Sequence, residues 1–314
     1  MSGIGVVLNP FAKKNARDPG LVDRLARIVG THGVVRTAST LEELRSVCEG
    51  LKKDGIDVLA VAGGDGTNHA TISCAIDVWG GVELPSFMLL RGGTMNTTAN
   101  SFGVPRRRPE KLLEDGVRMW SRRAREPMRY AEPHILRVER RYGFIFGTGA
   151  IHGFISEYNR RSERSAAWAA RVLGTAILSS LVGGETIRRV AERWQGEVRF
   201  DDGTAFPDRD YLTVGASTCS EIGLGFKPFY RSCEREGFIH VLGIHCSAGE
   251  VIRSLGRVQR GQPIGGERTY EKLCRTATLV PRHGVVPYIV DGDVYLKEGT
   301  LELGCGPKLR ILIP

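Results

Sequence analysis

This 314-residue sequence has no cysteine framework: its seven cysteines are odd in number, scattered, and contain no Cys-x-x-Cys pair. That argues against a disulfide scaffold and a zinc site, and makes the reducing cytoplasm the expected compartment. A secretory leader is not expected either. Met1-Ser2-Gly3-Ile4-Gly5-Val6-Val7-Leu8 lacks a basic start and runs straight into Asn9-Pro10, so it reads as a first strand. No apolar run reaches the roughly 20 residues of a membrane span. The most apolar stretch, 166–182, is interrupted by Arg171 and weakened by Gly174, and reads as a helix that packs or lies flat. Without a Gly-x-Ser-x-Gly, serine hydrolase chemistry has no support. Internal repeats, low-complexity tracts and long linkers are absent as well.

The chain is instead rich in positive charge, with a formal net charge of +9 and a pI near 9.3. This favours anionic partners. The arginines fall in short clusters: Arg106-Arg107-Arg108, Arg122-Arg123 with Arg125, Arg160-Arg161 with Arg164, and Arg188-Arg189. None is interleaved with aromatics, so nucleic acid is not an expected partner, and each cluster alone reads as a solvated face. As a set they suit an acidic membrane surface.

Length and a hydrophobic content of 41% allow two domains, each with its own core. Up to about residue 128, strand and helix patterns alternate. Strands are expected at 4–8, 34–37, 58–62 and 86–90, and helices at 19–30, at 40–54 behind a Ser39 or Thr40 cap, after Thr67, and at 97–102. That alternation predicts a doubly wound α/β domain over 1–128. From 129 to 314 short, turn-punctuated strands predict an antiparallel β-sandwich with helical insertions near 157–194 and 248–260. A close interface and a cleft between the two domains are expected.

Three turns carry the chemistry. Gly63-Gly64-Asp65-Gly66-Thr67 follows the apolar run Val58-Leu59-Ala60-Val61-Ala62, and its glycines, free to take positive φ, would let backbone N–H groups approach phosphate oxygens ahead of a helix N-terminus. Asp65 cannot bind phosphate directly, so it would act through Mg²⁺ or by ordering the loop. The plainer reading is a tight turn with Asp65 as a helix cap. Asn9-Pro10-Phe11-Ala12-Lys13-Lys14 follows the first strand and offers a lysine as a phosphate clamp, although alone it reads as a solvated loop. Leu89-Leu90-Arg91-Gly92-Gly93-Thr94-Met95-Asn96 is a second glycine-rich turn. Near the end, Val290-Asp291-Gly292-Asp293 reads as a two-residue hairpin loop.

These segments, in this order, resemble the diacylglycerol kinase catalytic-domain family, which includes bacterial lipid kinases, sphingosine and ceramide kinases and, more distantly, NAD kinases. The family patterns are Asn-Pro-x-(Ser/Ala), Gly-Gly-Asp-Gly-Thr, Gly-Thr-x-Asn and Asp-Gly-Glu. The likeness continues through Phe146-Gly147-Thr148-Gly149, Glu221 to Pro228, Arg235 to Ile239 and a closing strand at Leu309–Pro314, free to return to the first domain. The resemblance implies transfer of the γ-phosphate of ATP to a lipid hydroxyl such as that of diacylglycerol, with Mg²⁺. It places ATP-binding roles on Asn9, Pro10, Lys13, Thr37, Gly63, Gly64, Asp65, Gly66, Thr67, Asn68, Gly93, Thr94 and Asn96. Asp291 falls on the general base, with Asp65 also catalytic, and Asp65 and Asp293 fall on metal-supporting positions. It also implies a cytoplasmic protein, peripherally membrane-associated and active in phospholipid biosynthesis, and leaves a homodimer open.

The chain departs from the pattern at Asn68-His69-Ala70, where an apolar residue and Asn-Glu are usual. It also departs at Thr97, where Asp is common, and at Cys233-Glu234-Arg235-Glu236, which replaces an acidic loop that helps hold a divalent ion in some bacterial members. His69 and His152 match no family role and read as packing or surface residues. Two rivals remain: an NAD kinase, and a catalytically weak nucleotide or acidic-lipid sensor of the same fold.

Overall fold

The computed structural model describes residues 3–12, 14–93, 96–159, 192–223 and 225–314, in two compact units. The first unit comprises Met1–Pro133 and Lys308–Pro314. Its sheet contains β1 (Ile4–Leu8), β2 (Gly33–Thr37), β3 (Val58–Ala62), β4 (Ser86–Leu89), β5 (Tyr130–Ala131) and β18 (Ile311–Leu312), in the order β2-β1-β3-β4-β18-β5. All neighbours are parallel except the last pair. Helices α1 (Leu21–Val29) and α5 (Pro109–Ser121) pack together, as do α2 (Leu41–Lys53) and α3 (Asp65–Trp79). Every residue of β1 and β3 is buried, which explains why both read as unbroken apolar runs. Thr40 caps α2 by accepting the Glu43 N–H at 3.1 Å.

The boundary falls at Pro133/His134 rather than 128/129. The reason is β5, whose Ala131 and Tyr130 pair with Ile311 and Leu312, so the chain through Pro133 belongs to the first sheet.

The second unit, His134–Pro307, holds two antiparallel sheets. One contains β6 (His134–Val138), β7 (Arg141–Gly143), β9 (Trp194–Phe200), β10 (Ala205–Tyr211), β14 (Thr276–Pro281) and β17 (Leu301–Lys308). The other contains β8 (Ile145–Thr148), β11 (Thr213–Ser217), β12 (Ile239–Ile244), β13 (Thr269–Cys274), β15 (Val285–Val290) and β16 (Asp293–Glu298). Their inner faces share one buried cluster, with Leu136, Val198, Leu279 and Leu303 from the first sheet and Phe146, Val214, Val241 and Tyr288 from the second. This is the expected sandwich. The chain changes sheets at Phe144, leaving the first as β7 and entering the second as β8.

Helix α6 (Ala150–Asn159) starts earlier than the predicted insertion, and Trp194 already belongs to β9. The rest of that insertion, the apolar stretch 166–182, and the arginines at 160, 161, 164, 188 and 189 lie outside the described residues. Helix α7 (Ala248–Gln259) forms where predicted, closed by a Ser247–Glu250 capping box. Among the described residues no helix is long and apolar enough to cross a membrane.

Candidate functional site

In the first unit, the predicted turns leave the carboxyl ends of β1, β3 and β4, where ligands bind in open α/β sheets. Side-chain and backbone bonds fasten them together. Asn9 donates from Nδ2 to Thr67 Oγ1 at 3.2 Å and accepts the Phe11 N–H at 2.9 Å, and its own N–H reaches the Ala62 carbonyl. Asn15, which sequence reasoning missed, donates to the Asn9 and Ala62 carbonyls, each at 2.8 Å. Pro10 is half-buried in the same turn. Thr37 ends β2 at this edge, exposed, outside the network. Lys13 and Thr94 lie outside the described residues.

The glycines serve close approach, and the expected positive φ is not found at Gly63, Gly64, Gly66 or Gly93. A Cβ on Gly63 would stand 2.3 Å from the Thr67 Cβ, and one on Gly93 would stand 2.5 Å from the Gly64 Cα. The loops after β3 and β4 therefore touch backbone to backbone. Asn96, at φ 50°, closes the second loop on itself, accepting the Gly93 N–H at 3.1 Å and donating to the Gly93 carbonyl at 2.8 Å.

Asp65 behaves differently from the expected metal ligand. It opens α3, yet its carboxylate caps the next helix, α4 (Thr97–Ser101): Oδ2 accepts the Thr97 N–H at 3.0 Å and Oδ1 the Thr98 N–H at 3.1 Å. Two otherwise orphaned amides are satisfied this way, and the loops are locked together. The cap reading was right in kind, but the capped helix is α4, the next helix along the chain, rather than α3.

Asn68 also differs from its expected nucleotide role. Because α3 begins at Asp65, its fourth residue turns inward, and Asn68 is buried at 1% exposure with no partner for its amide among the described residues. His69 is likewise buried, and Ala70 is half-buried where a carboxylate is usual.

Arg91 is a second residue that the motif reading passed over. It is buried at 7% exposure with φ 54°, donating to the Val104 carbonyl at 3.0 Å and to Asn100 Oδ1 at 2.6 Å. Among the described residues no carboxylate lies within ion-pair distance. Burial, and then the Arg106 charge, push its guanidinium down from the ordinary value, while Asp65 opposes them.

In the second unit, Asp291-Gly292 forms the predicted two-residue hairpin between β15 and β16, with φ 48° and 96°. Positive φ at both loop residues is the conformation that matches hairpin twist. The Asp291 carboxylate turns back onto the sheet-switching corner. Oδ1 accepts the Ile145 N–H at 2.9 Å, and both oxygens lie 3.0 Å from the Phe144 nitrogen. Gly143 makes room, since a Cβ there would stand 2.8 Å from Oδ2. Asp293 pairs with Val290 at the base of the hairpin and is half-buried.

The diacylglycerol kinase catalytic domain model matches residues 3–125, which contain all three loops of the first unit. Over these residues the chain is similar to the diacylglycerol kinase catalytic domain. The family is one of kinases and implies phosphoryl transfer with ATP as co-substrate. No curated protein matches the sequence. Solved structures extend the likeness over the whole fold. A diacylglycerol kinase of Bacillus anthracis strain Sterne aligns at TM-score 0.65 and 11% identity, covering 99% of this chain and 97% of its own. Two chains from that strain, described provisionally as diacylglycerol kinases, align at TM-scores of 0.71 and 0.67 with 13% identity and the same coverages.

Among the described residues no group of three or more His, Cys, Asp or Glu side chains could hold a metal ion. Asp65 is engaged by two amides, and Arg231 pairs with Glu234 at 3.0 Å in the loop that carries an ion in some relatives. The described residues do not form a protein-built metal cage. Burial pushes the His152 imidazole down from its ordinary value, opposed by Glu192.

Proposed function

We propose that the protein is an ATP-dependent lipid kinase that moves the γ-phosphoryl group of ATP to a lipid hydroxyl, with diacylglycerol as the first substrate to test. One observation carries this reading: three loops at the carboxyl ends of parallel strands are fastened by Asn9, Asp65 and Asn96 into one seat, in which Gly66 is exposed and Gly64 half-buried. Glycine loops of this kind present N–H groups to a polyphosphate, and in phosphoryl transfer positioning and charge stabilisation supply most of the catalysis.

Asp291 is the proposed proton acceptor for the lipid alcohol. Its two backbone bonds set its orientation, and a carboxylate is a suitable general base for an alcohol. We assign Mg²⁺ to the nucleotide's own phosphates, where it would neutralise charge, rather than to a cage of protein carboxylates. For membrane contact we propose the exposed arginines 106–108, 122, 123 and 125, acting on an acidic lipid surface. Some are already engaged, Arg107 with Asp115 at 2.6 Å and Arg123 over the Trp120 ring at 3.7 Å.

The test is incubation of the purified chain with labelled ATP, Mg²⁺ and vesicles containing diacylglycerol and anionic lipid. A labelled phospholipid is expected, lost on chelation of the metal. ATP binding with no product from any lipid or from NAD would overturn the kinase reading and favour the sensor.

A further inference from the structure

Among the described residues no carboxylate pairs with the charge of Arg91. A buried guanidinium is costly unless an opposite charge compensates it. Here it is met by the neutral oxygens of Val104 and Asn100, at 3.0 and 2.6 Å. The charges acting on it are Arg106, of the same sign, and Asp65, which lies beyond ion-pair distance and is itself held by the Thr97 and Thr98 amides. Lys14 adds another cation to this corner, its Nζ lying 3.5 Å from the Arg91 carbonyl. The backbone at φ 54° is one that a bulky residue adopts only when its surroundings demand it. The residues that follow, Gly92 and Gly93, are those that abut Gly63 and Gly64.

We propose that Arg91 is a nucleotide-positioning residue whose missing counter-charge is the phosphate chain of the bound nucleotide. The inference rests on the kinase reading and deepens it by assigning the affinity for phosphate, as distinct from nucleoside, to a side chain outside the family motifs. A fixed charge behind a low-dielectric wall acts on a polyanion without direct contact and costs no rearrangement when the ligand arrives.

The experiment compares the binding of adenosine, AMP, ADP and ATP to the unmodified chain and to Arg91→Met, Arg91→Gln and Arg91→Lys, with the melting temperature of each ligand-free protein. In Met and Gln, ATP affinity is expected to fall by about tenfold or more, with smaller losses for ADP and AMP and adenosine within about twofold. Lys should retain the ranking. The ligand-free Met and Gln proteins should melt no lower than the parent, because each removes an uncompensated charge. An equal loss for all four ligands, unchanged ATP affinity, or loss of the fold in both neutral variants would overturn the proposal and make Arg91 a structural tie alone. Failure of the kinase reading looks different: the unmodified chain would then either bind none of the four, or bind ATP without forming product while the Arg91 variants still rank as above.

Discussion

Asp65 and Asp291 both sit in glycine-containing turns, and each accepts two backbone N–H groups from a distant part of its own unit. They differ in what they hold. Asp65 starts α3 with ordinary helical backbone and caps a five-residue helix, α4, that is too short to persist alone. Asp291 stands in the left-handed region at φ 48° and pins the corner where the chain passes from one sheet to the other. A motif carboxylate in this protein is therefore also a structural clamp, and any substitution must be read for both roles.

Asp291→Asn gives the sharpest separation. It keeps one carbonyl oxygen for the corner amides but removes the proton acceptor, so turnover should fall about 10²-fold or more with ATP binding preserved. Equal turnover in Asn and parent, measured with labelled ATP, would reduce Asp291 to its clamp.

The two units should also part company in acid, because His240 lies fully buried in β12 of the second unit. Burial, and then the Arg231 charge, push its pKa down to about 4. Glu271, at 3.6 Å, is the carboxylate that faces it. The folded state holds this imidazole neutral while the unfolded chain takes a proton near pH 6.5. Its contribution is thus complete above about pH 6.5 and lost as pH falls towards 4, at most about 3 kcal/mol. His240→Leu should flatten stability between those pH values in urea titrations, and an unchanged slope would assign the loss to other groups.

Asp65→Ala is expected to cost about 1–2 kcal/mol, the usual worth of a helix cap, and to weaken ATP binding as α4 comes loose. Hydrogen exchange at Thr97 and Thr98 reads it directly. Asn9→Ala, which removes the 3.2 Å bond to Thr67, should cost about 0.5–1.5 kcal/mol by thermal melting. Were it to exceed Asp65→Ala, the seat would be held from β1 rather than from α4.

Much of this was legible in the residues. The apolar runs of β1 and β3, the Thr40 cap and the Asp291-Gly292 turn all form where their chemistry places them. What escaped were the edges. β10 and β13 begin the order of their respective sheets, and β10 is exposed at Ala205 and from Pro207 to Asp210, so hydrophobic alternation does not mark it. Long-range partners escaped too. Nothing local reports that Asp65 will cap a helix beginning at Thr97, that Asn15 will bridge to Ala62, or that Phe144 marks a change of sheet. Such contacts depend on which loops the sheet order brings together, and the strand pattern alone leaves that order open.

The place of β18 bears on how the chain is made. Ile311 lies between Phe87 of β4 and Ala131 of β5, so the strands of the first sheet are translated long before the piece that joins the last two of them. Until residue 312 leaves the ribosome, β4 presents an open edge to solvent and to neighbouring nascent chains, while the whole second unit is still being synthesised. Completion of the first sheet thus waits on the sandwich-forming segment, and proteolytic removal of β18 would return a mature molecule to that unfinished state.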